Sequence, residues 1–106
     1  MTDQEIRQAL GYILYNLCYH HRDGDVPLSN EELEILLDDD EDRKIRRFTY
    51  CSCLKWAQSN PEENFSQLLL EKRNYSNEYI FSYLMQMLEQ IKQHGVLEKF
   101  EREHVA

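Results

Sequence analysis

Three groups of residues in this chain have the types and spacings that chemistry would need. Asp23, Asp25 and Glu32 bring three carboxylates into one short stretch, a donor set suited to a hard cation such as calcium. Cys18, His20 and His21, and separately Cys51 and Cys53, supply the softer donors that zinc prefers. Arg43, Lys44, Arg46 and Arg47 follow an acidic run, Asp38 to Asp42, and could grip a phosphate or a carboxylate.

With Leu28 set on the apolar loop position, HRDGDVPLSNEE resembles the metal-binding loop of EF-hand proteins. The resemblance implies a calcium-responsive module, with Asp23 and Asp25 as the third and fifth ligands and Glu32 as the bidentate last one. His21 stands where the first carboxylate belongs, and Val26 where a glycine makes the sharp turn. Pro27 follows where a carbonyl must point inward. Ordinary helix chemistry accounts for the same residues. Asp23-Gly24-Asp25 is turn-forming, and Ser29 with Glu32 makes a capping box. A turn and a helix cap are therefore expected. No metal or cofactor is assigned, and calcium binding through Asp23, Asp25 and Glu32 stands as the alternative.

The softer donors fail on geometry. In a helix, Cys51 and Cys53 point about 160° apart, too far to grip one ion. Cys18, His20 and His21 also leave a helix on different sides. Histidines in a last helical turn have a simpler role, facing the negative end of the helix dipole. In the charged run, Asp39, Asp40 and Asp42 precede Arg43, Lys44 and Arg46 by four residues each, the favourable order for ion pairs along a helix. A self-neutralised helix start is expected, and Arg46 and Arg47 remain candidates for an acidic group on a partner. There is no Gly-rich phosphate loop, no Gly-x-Ser-x-Gly elbow and no His-Glu-x-x-His motif, so no catalytic residue is assigned and no enzyme is expected.

The elements that position these groups read as helices. A chain of 106 residues with 42% hydrophobic content suits one helical domain over 1–106, and three Gly and two Pro are too few for a turn-rich β protein. Twenty acids against 12 bases give a net charge of −8, which disfavours nucleic acid and fits a basic protein partner. No stretch is apolar enough to span a bilayer, and the opening MTDQEIRQ is polar. Three cysteines without export features read as reduced thiols, which places the protein in the cytoplasm.

Capping boxes at Thr2/Glu5, Ser29/Glu32 and Asn60/Glu63, a start at Ser76 or Asn77 and a stop at Gly95 predict helices near 3–21, 30–38, 42–58, 61–72, 77–94 and 96–104. The second and third could also be one bent helix. Ile6, Leu10, Ile13, Leu14 and Leu17 make a core stripe on the first helix. Ile80, Leu84, Met87, Leu88 and Ile91 do so on the fifth. Ile45, Phe48 and Trp56 share a face of the third helix with Thr49, Ser52 and Cys53, while Tyr50, Leu54 and Ala57 take the other side.

Tyr12, Tyr15 and Tyr19 fall nearly opposite the first helix's core stripe. Burial of that helix on both sides explains them most simply; the other explanation is a partner or a second copy. The expected fold is all-α, a compact bundle of five or six short helices. The expected function is protein binding, by a small cytoplasmic regulator, adaptor, inhibitor or immunity-type factor. Tyr12, Tyr15, Tyr19, Arg46 and Arg47 are its candidate contacts. A helix-turn-helix-like nucleic-acid binder using 43–58 is a further alternative.

Overall fold

The computed structural model describes residues 1–15, 17, 26–69 and 74–104. The expectations placed on Cys18, Tyr19, His20, His21, Asp23 and Asp25 fall outside them. Five α-helices are described: α1 Asp3–Ile13, α2 Asn30–Leu37, α3 Glu41–Ser59, α4 Asn77–Gln93 and α5 Val96–Glu103, with a 3-10 turn at Phe65–Leu68. No strand occurs among the described residues, so the fold is an all-α bundle.

Local chemistry explains most of the helix starts. Thr2 and Glu5 form the expected capping box, and so do Ser29 and Glu32. The Glu32 carboxylate accepts the Ser29 N–H at 3.3 Å and its hydroxyl at 3.0 Å, so it serves the cap of α2. Ser76 caps α4 by accepting the Tyr79 N–H at 3.1 Å, and Asp40 caps α3 through the Asp42 N–H at 3.0 Å. Between α2 and α3, Asp38 is extended, so the two helices are separate. Gly95, at φ 84°, makes the left-handed turn between α4 and α5 that a side chain would strain.

Two expected helices differ. α1 closes at Ile13 with a turn at Leu14, after which Tyr15 and Leu17 are again helical, and the rest of the expected 3–21 span lies outside the described residues. The Leu14 N–H still reaches Leu10 at 2.8 Å, and that of Leu17 reaches Leu14 at 3.0 Å, a tighter turn than the α ladder. The expected 61–72 helix does not form around Asn60 and Glu63. The Asn60 amide reaches back to the Trp56 carbonyl at 2.8 Å, closing α3 rather than opening a new helix. The Glu63 carboxylate goes to Arg7, and Asn77 clamps the turn by donating to the Glu63 carbonyl at 2.9 Å and accepting the Phe65 N–H at 2.7 Å.

α3 and α4 pack on each other at the centre, α1 and α2 lie against α3, and α5 spans α2, α3 and α4. Leu10, Leu14, Leu54, Phe65, Ile80, Leu84, Met87 and Ile91 are fully buried where these helices meet. Burial of side chains of this size supplies the main driving force, about 1.5–3 kcal/mol each. On α3 the buried arc runs through Arg47, Cys51, Cys53, Leu54 and Ala57. The Tyr50–Leu54–Ala57 side therefore faces the core, and the Ile45 side faces outward. A side-chain amide pins the segment before α2: Gln90 accepts the Leu28 N–H at 2.9 Å and donates to the Leu28 carbonyl at 2.8 Å.

Candidate partner-binding groove

Where α1 and α3 run side by side, their outward faces leave a groove of about 350 Å³. Ala9, Ile13 and Tyr50 form its more buried part. Tyr12 and Ile45 stand at its lips, 73% and 62% exposed. Thr49, Asp42 and Arg46 complete the α3 wall. Helical phase produces this arrangement. Tyr12 sits about 160° around α1 from Leu10, and Asp42, Ile45, Arg46 and Thr49 recur at the three- and four-residue spacing of one helix face.

Two polar groups of the groove, Thr49 and Tyr50, are settled. The Thr49 hydroxyl donates to the Ile45 carbonyl at 2.9 Å, within its own helix. Burial pushes the Tyr50 phenol above its ordinary value, with Glu32 adding to the rise, so it stays protonated. Among the described residues Arg46 makes no ion pair, and it also borders a hollow with Asp40, Asp42 and Arg43 beside Ile35. Its guanidinium is the cation available to a ligand here.

The far side of Tyr12 borders a second, more polar groove of about 430 Å³, with Gln4, Gln8 and Gln67 around Gly11 and Leu68. Arg7 at its edge is already committed. Its guanidinium donates to both Glu63 carboxylate oxygens, at 2.9 and 3.4 Å, and lies 5.4 Å from the centre of the Trp56 ring. Trp56 in turn donates to Asp3 at 3.3 Å.

The expected contacts thus separate. Tyr12 and Arg46 line one groove. Tyr12 is 73% exposed on α1, and Tyr15, beyond the end of α1, is 42% exposed, so neither tyrosine is a core residue. Tyr19 lies outside the described residues. Arg47 is not a surface contact, because its side chain is fully buried. It donates to both carboxylate oxygens of Glu103, at 2.8 and 2.6 Å, and to the Leu36 and Asp38 carbonyls at 2.9 Å each. That fork holds the Glu103 carboxyl below its usual range.

The acidic run is also used differently from expectation. Asp38 pairs with Arg43, and Asp39 pairs with Lys99 at 2.7 Å, because both acids precede α3 rather than lying on it. Lys99 also donates to the Leu37 carbonyl at 2.7 Å. Together Arg47 and Lys99 supply donors to the Leu36 and Leu37 carbonyls at the end of α2.

Cys51 and Cys53 are buried and unbridged. Burial pushes the Cys51 thiol up to about 12 and the Cys53 thiol to about 11, which favours the neutral thiol at both. No cluster of three metal-ligating side chains occurs among the described residues. No described helix is long and apolar enough to cross a membrane.

Sequence reasoning missed Ile45 and Tyr50 as groove residues, and Glu103 and Lys99 as partners of the basic run. For Ile45 a signal was present. Its neighbours on the helix face are Asp42, Arg46 and Thr49, a polar setting for a core residue. Models of protein families, curated proteins and solved structures give no match to this chain.

Proposed function

We propose that this chain is a cytoplasmic, non-catalytic protein-binding module, of the regulator, adaptor, inhibitor or immunity type, that seats a partner in the groove between α1 and α3. The observation that carries the reading is the placement of Tyr12 and Ile45. Among the described residues, two of the most exposed large apolar side chains stand on opposite lips of one groove, beside an arginine that makes no ion pair there. Aromatic and arginine side chains around a fillable pocket are the usual anchors of protein interfaces. Nothing in the core requires these two side chains to be apolar, so a contact outside the chain is the economical reason for them.

Nucleic acid fits less well. Of the four bases that would arm 43–58, Arg47 is buried and Arg43 is paired with Asp38, and the whole chain carries −8.

A photoreactive phenylalanine analogue at position 12, irradiated in the host cell, tests the reading. A discrete adduct that disappears when Ile45→Asp is added supports it. No adduct, with helical circular dichroism and melting preserved, overturns it.

A further inference from the structure

Resting on the groove as a binding surface, we propose that its occupant is a second copy of this chain, related by a two-fold axis across the outer face of α3. The groove's own charges select the occupant. Its wall carries one acid, Asp42, and one base, Arg46, four residues apart and therefore on the same helix face. A basic segment entering the groove would set its cations against Arg46, and an acidic one would meet Asp42 and the −8 of the whole chain. A ligand with the same two charges in reversed order satisfies both. A copy turned about an axis midway between Asp42 and Arg46 has that order. Asp42 of each copy then faces Arg46 of the other, giving two identical ion pairs.

The shape is self-complementary in the same way. A two-fold interface needs a protrusion and a recess on one patch, and here Tyr12, 73% exposed, projects beside the groove it helps to wall. Tyr12 cannot fill its own groove, but the Tyr12 ring of a second copy can. Ile45, next to the axis, is covered in the same step. This assignment also accounts for why the apolar lips and the charged pair lie on one surface rather than apart.

Each copy carries −8, so the two repel at long range, and salt screens that repulsion. Association should therefore strengthen from low to moderate salt, the reverse of what a basic partner would show.

Sedimentation over a concentration series tests the proposal with four proteins: the native chain, Tyr12→Ser, Asp42→Arg and Arg46→Asp. The native chain should dimerise, more strongly in moderate salt. Each variant should weaken the dimer by about tenfold or more, since each charge reversal replaces two attractions by two repulsions. An equimolar mixture of Asp42→Arg and Arg46→Asp should associate again, because one copy then offers two cations and the other two anions. That recovery cannot come from a folding defect.

A native chain that stays monomeric at millimolar concentration in moderate salt overturns the second-copy assignment. So does a dimer that ignores all three substitutions. The groove reading is judged separately by the adduct at position 12. An Ile45-dependent adduct to a different protein ends the second-copy proposal and keeps the groove, whereas no adduct ends both.

Discussion

Arg46 and Arg47 are adjacent in the chain and perform opposite tasks. One step along α3 turns a side chain by about 100°, enough to move it from the outer face to the inner one. Arg46 borders the open groove with Tyr12 and Ile45. Arg47 is fully buried and ties three elements together: α3 carries it, the end of α2 gives it two carbonyls, and α5 gives it the Glu103 carboxylate. The inner region has many bonds and little exposed apolar surface. The outer one has exposed apolar surface and a cation without an ion pair among the described residues. Stability is therefore concentrated in one region, while the other is free to serve contact. The two can be altered independently.

The sharpest break in that contrast is Arg47→Ala. It leaves the Glu103 carboxylate and two carbonyls without their donor. Losing one member of a buried pair should cost about 3 kcal/mol in urea or thermal unfolding. Arg46→Ala should leave melting unchanged. Equal losses from the two substitutions would erase the distinction between the regions.

Acid pH probes the same contact more gently. Because Arg47 lowers the folded pKa of Glu103 below the usual 4.5, the contact's contribution is fully present above that value. It is lost as pH falls through the folded pKa. Melting temperature should therefore decline below pH 4.5, and Glu103→Gln should flatten that decline while lowering stability near neutrality. An unchanged slope in the variant would mean that other carboxylates govern acid unfolding.

A smaller effect reads opening of the inner region directly. Cys51 lies one turn beyond Arg47 on the buried face, its thiol pushed up to about 12 by burial. Alkylation at neutral pH should be slow in the native chain and faster in Arg47→Ala. The raised value also has a consequence in alkali. The thiol favours the folded state fully below its usual 9.0, and that contribution falls as pH rises toward 12. Rapid alkylation of Cys51 in the native chain would show that α5 and its lock open readily.

Legibility in the sequence followed the range of the interactions. Thr2, Ser29 and Ser76 cap helices through N–H groups three residues away, and their local patterns were sufficient. Asn60-Pro61-Glu63 has an equally good local pattern and misled, because the Glu63 carboxylate is taken by Arg7 from a distant part of the chain. Asp39 misled for the same reason, through Lys99. The burial of Arg47 was partly legible, since it shares a face with Cys51 and Leu54, but charge argued for the surface and its partner Glu103 lies far along the chain. For the groove, Tyr12 and Arg46 were each legible from phase or charge. Their convergence required knowing that α1 packs beside α3.

The smallest effect on stability belongs to the outer region, and there a near-null result is informative. Tyr12→Ser and Ile45→Ser remove side chains that are 73% and 62% exposed, so little buried apolar area is lost and melting should shift by no more than about 0.5 kcal/mol equivalent. Had Tyr12 been a core aromatic, truncation would cost several kilocalories, as it does for large buried rings. The two cases are far enough apart for a single thermal melt to separate them. Ile45→Ser adds a second check, because an isoleucine on an outer helix face contributes helix propensity and little else, and serine is similar in that respect. If either substitution unfolds the chain, the groove is part of the core's support and α3 has no spare face. If both leave the fold intact, then whatever keeps these residues apolar acts between molecules.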